Sequence, residues 1–239
     1  MGSPIFTCMS RTPVKTSNGS QASDTGESVV VRLGGAFIGG SRRVGAEDGL
    51  SFILGAGEAH VITGPAGCGK TALLDRIALA RPPDYGVISL FGGDAAGIPP
   101  AGRAAVRRRI GVVFQHLRLI DTLSARDNVA LAARAAGRAP GAYDSALDEV
   151  LAWVGLARRA DEACGALDAE GRGRLAMARA VINRPDLLIV DEPTGEAVLK
   201  LLSELNRAGT TMLIATRDTE LAMRSGAEVT HLAGRGRVG

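Results

Sequence analysis

Cysteines and aromatic residues are both scarce in this sequence. The three cysteines, Cys8, Cys68 and Cys164, have neither the spacing of a metal site nor that of a disulfide framework. Aromatic residues make up 3% of the chain, but hydrophobic residues reach 46%, which is enough to build a core. A disulfide scaffold is therefore excluded, and we expect a reduced, cytosolic protein.

Long apolar runs are missing as well. No segment approaches the ~18 consecutive apolar residues that a transmembrane helix requires. Residues Met1 to Met9 lack the charged start and the long apolar core of a secretory signal. We therefore expect neither a membrane-spanning segment nor a secreted protein.

The charge balance has no strong excess of either sign. The formal net charge is +3, which does not favour a nucleic-acid partner, and none is expected. The densest basic run, Arg107–Arg109, precedes a predicted strand. We interpret it as a solvated helix end rather than a polyanion site.

The length of 239 residues suits one α/β domain with a small inserted subdomain. Residues 1–27 are rich in Ser, Thr, Gly and Asn and are predicted to form a disordered tail. The domain itself is predicted over residues 28–239. Within it, residues from about 117 to 170 have helical spacing of Ala, Leu and Val, which predicts a helical subdomain.

Apolar, strand-like segments alternate with helical patterns along the domain. One helix is predicted to begin at Gly195, to run through Leu205 and to be ended by Gly209. Because strands separated by helices of this length form parallel sheets, the fold class is α/β with a parallel sheet. The predicted strands are Val29–Leu33, Leu50–Leu54, Ala59–Thr63, Gly86–Phe91, Ile110–Phe114, Leu187–Asp191, Met212–Ala215 and Glu228–Leu232.

A glycine-rich segment matches the phosphate-binding P-loop pattern G-x-x-x-x-G-K-[ST], between a predicted strand and a helical pattern. Its glycines let backbone N–H groups point at an anion, and the helix adds its positive N-terminal end. Lys70 is predicted to reach the β- and γ-phosphates, and Thr71 to hold Mg²⁺. Cys68 is either a redox switch or the filler of a variable position. The predicted nucleotide-binding residues are Gly64, Pro65, Ala66, Gly67, Cys68, Gly69, Lys70 and Thr71.

A second motif ends in two carboxylates, Asp191 and Glu192, after four apolar residues that start at Leu187. We interpret the run as a buried parallel strand that places Asp191 at the sheet edge as a ligand of Mg²⁺, directly or through water. Glu192 is then placed to polarise an attacking water. The plain alternatives are a turn-capping acid for Asp191 and a surface carboxylate for Glu192. Together the two motifs predict binding of a nucleoside triphosphate with Mg²⁺.

These motifs, with Phe114-Gln115 and the helical insert, resemble the nucleotide-binding domain of ABC-type ATPases over residues 29–232. The resemblance implies a P-loop NTPase fold with a mostly parallel sheet core, an N-terminal antiparallel β part and an inserted helical subdomain. It implies ATP and Mg²⁺ as ligands, with Gln115 contacting Mg²⁺ and the attacking water. It also implies an aromatic ring that stacks on adenine, for which Phe37 is the candidate and core packing the alternative.

Several segments look like the FtsE group of this family, the cell-division ATP-binding subunits. They include Arg118–Asp121, Asp127–Val129 and Leu205–Thr211. The resemblance implies an FtsX-like integral membrane partner, a possible homodimer, and a peripheral position on the cytoplasmic face of the cell membrane. The subunit would pass its nucleotide state across the membrane to control cell-wall cleavage.

The ABC signature is the first of three departures from the family pattern. In the family, a Ser and two Gly of L-S-G-G-[QE] contact the γ-phosphate bound to the other subunit. Here the segment Leu167–Gly171 places Asp168 at the Ser position. A carboxylate is repelled by polyphosphate, so the dimer is expected to close poorly. A helix N-cap is the plain role of Asp168 and is compatible with a lost signature.

The second departure lies at the family's switch His, where this chain has Arg217. Arg is a permanent cation with five donors, so one interpretation is that it reaches the γ-phosphate. The alternative is a surface arginine paired with Asp218 or Glu220.

The third departure follows Glu192-Pro193-Thr194-Gly195, where the family continues into Asn-Leu-Asp. This chain passes directly into a helix. The loop that crosses the dimer in the family is therefore missing, whereas the residues that bind Mg-ATP within one subunit are intact.

Three functions remain open. The first is an FtsE-like ATP-binding subunit with slow or absent hydrolysis, in which Glu192 is the base, Lys70 stabilises charge and Gln115 positions water. The second is a pseudo-ATPase that acts as a nucleotide-gated scaffold. The third is the nucleotide-binding subunit of an exporter for lipoprotein or a small solute. A GTPase is rejected because the chain has no Asn-Lys-x-Asp motif.

Overall fold

The computed structural model describes residues 29–37, 50–81 and 85–232. The predicted tail at residues 1–27 lies outside this part of the chain. The strands are β1 (Val29–Phe37), β2 (Leu50–Gly55), β3 (Ala59–Thr63), β4 (Tyr85–Leu90), β5 (Gly93–Asp94), β6 (Ile110–Val113), β7 (Leu187–Asp191), β8 (Thr211–Thr216) and β9 (Glu228–His231). The α-helices are α1 (Lys70–Ile77), α2 (Pro100–Arg107), α3 (Ala125–Ala135), α4 (Asp144–Trp153), α5 (Ala169–Val181), α6 (Glu196–Arg207) and α7 (Thr219–Arg224).

Five strands form a parallel sheet in the order β6-β7-β8-β3-β9. All residues of β7 and β8 are buried, as expected for central strands of a sheet that is covered on both faces. The apolar runs that predicted these strands therefore reflect burial on two sides. The predicted α/β class with a parallel sheet core is confirmed.

Four strands form a separate antiparallel sheet in the order β2-β1-β4-β5. Strand β2 alternates as this arrangement requires: Leu50, Phe52 and Leu54 are buried, and Ser51 and Ile53 are exposed. The inward side chains join a core that also contains residues of β3, β7 and β8. The antiparallel N-terminal part implied by the family resemblance is present.

Helices α3 and α4 and two short 3-10 helices, Ala157–Arg159 and Cys164–Ala166, lie between β6 and β7. The Ser124 side chain caps α3 by accepting a hydrogen bond from the backbone N–H of Asp127. These elements fall within the predicted helical subdomain at about 117–170. Helix α5, however, starts at Ala169 and continues to Val181, well past the predicted end of the helical subdomain at about residue 170.

Element boundaries differ from the predictions by a few residues. Strands β3 and β7 have the predicted bounds, whereas β1 continues to Phe37 and β6 stops at Val113. The predicted helix from Gly195 through Leu205 is α6, which begins one residue later, at Glu196, and continues to Arg207. Gly209, predicted to end it, follows the C-cap Ala208 with φ 86°. Gly195 has φ 87°, outside the helical region, so it caps α6 rather than starting it.

None of the helices in the described ranges is both long and apolar enough to cross a bilayer.

Candidate functional site

The candidate site lies at the carboxyl edge of the parallel sheet. Because β7, β8 and β3 are adjacent, the segments that follow Asp191, Thr216 and Thr63 emerge side by side. The segment after Val113 of β6 emerges at the same edge, next to β7. This is where ligands bind in open α/β sheets. Strand order alone therefore brings the two predicted motifs together.

The P-loop backbone requires glycine at three positions. Gly64, Gly67 and Gly69 have φ of 153°, 74° and 106°, which side chains other than glycine rarely allow. At Gly64 a Cβ atom would also lie 2.5 Å from the carbonyl oxygen of Leu232. Positive φ at successive glycines is what allows a loop of this kind to turn backbone N–H groups toward an anion.

The remaining loop residues divide into exposed and buried positions. Pro65, Ala66 and Gly67 are exposed, and Cys68 is buried. Little of the Cys68 thiol is accessible, so its burial favours packing over the redox alternative. Helix α1 follows with no acidic residue in its first turn, which leaves its positive end available to a phosphate.

Lys70 is buried and makes four polar contacts, one of them with the Cys68 sulfur at 4.0 Å. Its Nζ donates to the carbonyl oxygens of Gly64 at 2.8 Å and Pro65 at 3.2 Å. It also lies 3.3 Å from Oε1 of Glu192. The lysine therefore sits inside the loop, with its charge directed at the carboxylate that follows β7.

Thr71 and Asp191 form the second half of the predicted metal site. The Thr71 hydroxyl donates to Oδ2 of Asp191 at 2.7 Å. Oδ1 of Asp191 is buried and accepts no hydrogen bond from the described residues. Burial is the largest cause of a raised pKa for this carboxyl, which the Thr71 hydrogen bond partly opposes.

A cation would give the orphan Asp191 oxygen a partner and would favour the ionised carboxylate. No cluster of three or more His, Cys, Asp or Glu side chains suited to a metal occurs in the described residues. This agrees with Mg²⁺ chemistry, in which one or two protein ligands are completed by phosphate oxygens and water. The residues present therefore fit Mg²⁺ bound together with a nucleotide.

Glu192 has a strained backbone in a defined position. Its φ is 51°, in the left-handed region that a non-glycine residue seldom adopts. Its N–H donates to the carbonyl oxygen of Ala215 on β8 at 2.8 Å, which holds this conformation. Such strain is frequent at functional positions. It aims the Glu192 side chain at the P-loop lysine.

Arg217 contacts Glu192 with both backbone and side chain. The backbone N–H of Arg217 donates to Oε2 at 3.0 Å, and its Nε lies 3.3 Å from Oε1. The partners predicted from the sequence were the γ-phosphate, Asp218 or Glu220, and Glu192 was not among them. The contact depends on β7 and β8 being neighbours, which local sequence patterns do not reveal.

For Gln115 and Phe37, the structure gives the position in the chain and in the sheet but no side-chain contact that tests the predicted roles. Gln115 is exposed and follows β6 at the same sheet edge, two residues after Val113. Phe37 ends β1, where its backbone pairs with Tyr85. Its side chain lies outside what the structure describes, so adenine stacking stays a prediction.

Asp168 is the N-cap of α5. Its Oδ1 accepts a hydrogen bond from the backbone N–H of Gly171 at 2.8 Å. A Cβ at Gly171 would lie only 2.7 Å from the same oxygen, so the cap depends on this glycine. The N-cap alternative for Asp168 is confirmed, and its carboxylate accepts a hydrogen bond from the first turn of the helix that it caps.

The structure also contains a groove of about 530 Å³ that the sequence did not predict. It lies between β6, α3 and α5, near the exit of β6. Its described lining includes four arginines and no acidic residue. Three of them are partly engaged. The guanidinium of Arg118 stacks 3.8 Å from the ring centre of Phe114. Arg179 donates to the carbonyl oxygens of Leu117 and Arg118, and Arg107 donates to the carbonyl oxygen of Leu79. The four are Arg107, Arg108, Arg118 and Arg179.

Comparison with known proteins agrees with this architecture. The family described as ABC transporter matches residues 48–195. The lipoprotein-releasing system ATP-binding protein LolD 1 of Caulobacter vibrioides is 37% identical over 209 residues, covering 83% of this chain and 89% of the relative. The cell division ATP-binding protein FtsE of Bacillus subtilis is 35% identical over 185 residues, covering 74% of this chain and 81% of the relative.

Among solved structures, the fold is similar to that of the ATP-binding cassette MJ0796, determined as a dimer in a post-hydrolysis state with ADP and Pi. The TM-score is 0.73 at 26% identity, and the match covers 86% of this chain and 97% of that one. The glycine loop, the paired carboxylates and the strand order that joins them thus occur in a chain that belongs to the ABC transporter ATP-binding family.

Proposed function

We propose that this chain is the ATP-binding subunit of a membrane complex and couples Mg-ATP binding, with slow hydrolysis, to an integral membrane partner. The observation that carries the proposal is the meeting of Lys70, Thr71, Asp191 and Glu192 at one sheet edge. The P-loop supplies backbone donors for the phosphates, and Lys70 adds a positive charge beside them.

Each residue has a distinct role in the proposed chemistry. Thr71 and Asp191, assisted by Gln115, would hold Mg²⁺, which neutralises phosphate charge when bound. Glu192 accepts a proton from water as the water oxygen bonds to the γ-phosphorus and the bond to the ADP oxygen breaks. Lys70 stabilises the charge that develops on the phosphate oxygens.

The slow rate follows from Asp168. In the family, the signature of a second copy caps the nucleotide, and the MJ0796 structure is described as a dimer. Here an exposed carboxylate occupies that turn and is bonded to Gly171 of its own helix. Closing it over a triphosphate brings like charges together, which opposes the dimer.

The pseudo-ATPase scaffold is the second candidate, and the same carboxylate favours it. Glu192→Gln distinguishes the two functions by analytical ultracentrifugation with Mg-ATP. In a hydrolysing enzyme it traps an ATP-bound dimer, whereas in a scaffold it leaves the dimer fraction unchanged.

The arginine-lined groove between β6, α3 and α5 is the proposed docking surface for the membrane partner. Arg107 and Arg108 are exposed at its edge, and its described lining has no acidic residue. A cytoplasmic helix with a carboxylate facing these arginines would complement the groove in shape and charge. Bound to its partner through this groove, the chain would lie at the inner face of the cell membrane.

For the cellular process, we propose an FtsE-type role in cell division with an FtsX-like partner. The motifs at Leu205–Thr211 support it, as does the 35% identity to FtsE. Lipoprotein release is a second candidate because LolD 1 is 37% identical over a longer stretch. Co-purification of the membrane subunit from the native organism distinguishes them, with Arg107→Glu/Arg108→Glu as the variant expected to lose the partner.

The first test is Mg-ATP binding and phosphate release by the purified chain, with Lys70→Ala as the blank. The proposal expects binding with slow release above the blank. Binding without release above the blank, also in the presence of the membrane subunit, favours the scaffold. Absence of binding contradicts both functions.

A further inference from the structure

Two cationic side chains from neighbouring segments converge on the carboxylate of Glu192. Oε1 of Glu192 lies 3.3 Å from both Lys70 Nζ and Arg217 Nε. Oε2 accepts the backbone N–H of Arg217 at 3.0 Å. The Glu192 side chain is 12% exposed, so these contacts are partly shielded from water. Both oxygens of the candidate base are therefore engaged by the protein itself.

The two contacts made by residue 217 differ in what they depend on. The backbone N–H on Oε2 is available from any residue except proline. The contact of Nε with Oε1 requires the arginine side chain. Oε2 is thus held by the backbone, whereas Oε1 is held by two side chains, those of Lys70 and Arg217.

The contact of Lys70 with Oε1 competes with the proposed role of Lys70. A triphosphate carries more negative charge than one carboxylate and draws the lysine toward itself. When Lys70 turns to phosphate, the guanidinium of Arg217 is the cation that remains on Oε1 of Glu192. Whether Oε1 is free to accept a proton from water then depends on Arg217.

We propose that Arg217 is a positioning residue that restrains the candidate base, because its guanidinium occupies Glu192 Oε1 and so slows water activation. The inference rests on the proposed ATPase function. An arginine stays charged at every physiological pH, so the restraint is permanent within one subunit. A small neutral side chain at 217 keeps the backbone contact to Oε2 and opens Oε1.

The test compares Arg217→Ala and Arg217→Gln with the wild-type full chain. Phosphate release is expected to rise about two- to fivefold, which is the effect on the rate expected for the loss of an ion pair with one exposed partner. The ratio of the Kd values for ADP and for the non-hydrolysable analogue AMP-PNP, both with Mg²⁺, is expected to stay unchanged. Arg158→Ala, which removes an exposed arginine of the helical region, is the control and should behave as wild type.

A second readout does not require turnover. In nucleotide-free protein, Arg217→Ala is expected to lower Tm in the wild-type background and to have no effect in the Glu192→Gln background. Additive Tm shifts would contradict a contact between the two side chains. Unchanged or lower phosphate release in Arg217→Ala would overturn the restraint, even if nucleotide still binds.

Selective loss of AMP-PNP affinity in Arg217→Ala would also overturn the proposal, because it would show that Arg217 contacts the γ-phosphate. Failure of the ATPase function itself gives a different pattern. In that case wild type and Lys70→Ala release phosphate equally, and the Tm cycle still reports the contact between Arg217 and Glu192.

Discussion

The nucleotide-binding edge and the signature turn at Leu167–Gly171 differ in what their polar side chains contact. At the edge, Lys70 and Thr71 of one segment meet Asp191 and Glu192 of a distant one, and one buried Asp191 oxygen has no hydrogen-bond partner among the described residues. In the turn, Asp168 bonds to a backbone N–H three residues along its own helix. The polar groups at the edge can therefore bind a ligand, whereas the Asp168 carboxylate in the turn stabilises its own helix.

This difference separates two tasks that the family combines. In the proposed function, residues at the edge bind nucleotide within one subunit, whereas the signature would act on the nucleotide of a second copy. A substitution in the exposed turn leaves the fold intact, because the cap is local and Asp is as good an N-cap as Ser. A chain can therefore keep nucleotide binding while its dimer-dependent hydrolysis weakens.

The largest expected effect is at the edge. Lys70→Ala removes the charge beside the phosphates and should weaken Mg-ATP binding by about 10- to 100-fold, as expected for a charge-assisted contact. Titration with a fluorescent ATP analogue measures the change, and circular dichroism checks the fold. Lys200→Ala removes an exposed lysine of α6 and is the matched control. Equal loss in both variants would mean that Lys70 has no specific role.

The next largest effect tests the turn. Asp168→Ser removes the carboxylate but keeps an N-cap, so phosphate release should rise about three- to tenfold at unchanged stability. Asp161→Ser, at a side chain that is 94% exposed, controls for the loss of one negative charge. A rise in both variants would point to net charge, and no rise in Asp168→Ser would show that Asp168 does not limit closure.

The sequence predicted the segments whose signals are local. The apolar runs of β3 and β7 gave correct strand bounds, because each is short and bordered by turn or loop residues. The P-loop pattern predicted the glycine conformations, and the N-cap preference of Asp predicted the start of α5 at Ala169. Each of these signals is contained within a few neighbouring residues.

Features that depend on strand order were not predictable in this way. The contacts of Glu192 with Lys70 and Arg217 exist because β7, β8 and β3 are adjacent, and hydrophobic periodicity carries no information on that order. The arginine-lined groove depends on how α3 and α5 pack beside β6. These are tertiary features, and they include the partner of Arg217 that the sequence analysis missed.

A smaller effect concerns the stability of the turn. Asp168→Ala removes the acceptor for the Gly171 N–H and should lower the free energy of unfolding by about 1 kcal/mol, whereas Asp168→Ser should change it by a few tenths. Urea denaturation monitored by circular dichroism measures both. If Ser and Ala are equally destabilising, the Asp168 carboxylate has a role beyond capping.

The smallest expected effect concerns the pH dependence of stability that the buried Asp191 carboxyl causes. Because burial raises the pKa of Asp191, the folded chain holds more protons than the unfolded chain between the ordinary carboxyl pKa of ~3.9 and the raised value. The stabilising contribution of Asp191 is therefore present at low pH and is lost as pH rises through that window. Urea denaturation of nucleotide-free protein should show the difference in unfolding free energy between wild type and Asp191→Asn falling as pH rises. A difference that rises with pH would contradict a raised pKa and would mean that the protein already stabilises the Asp191 carboxylate without a cation.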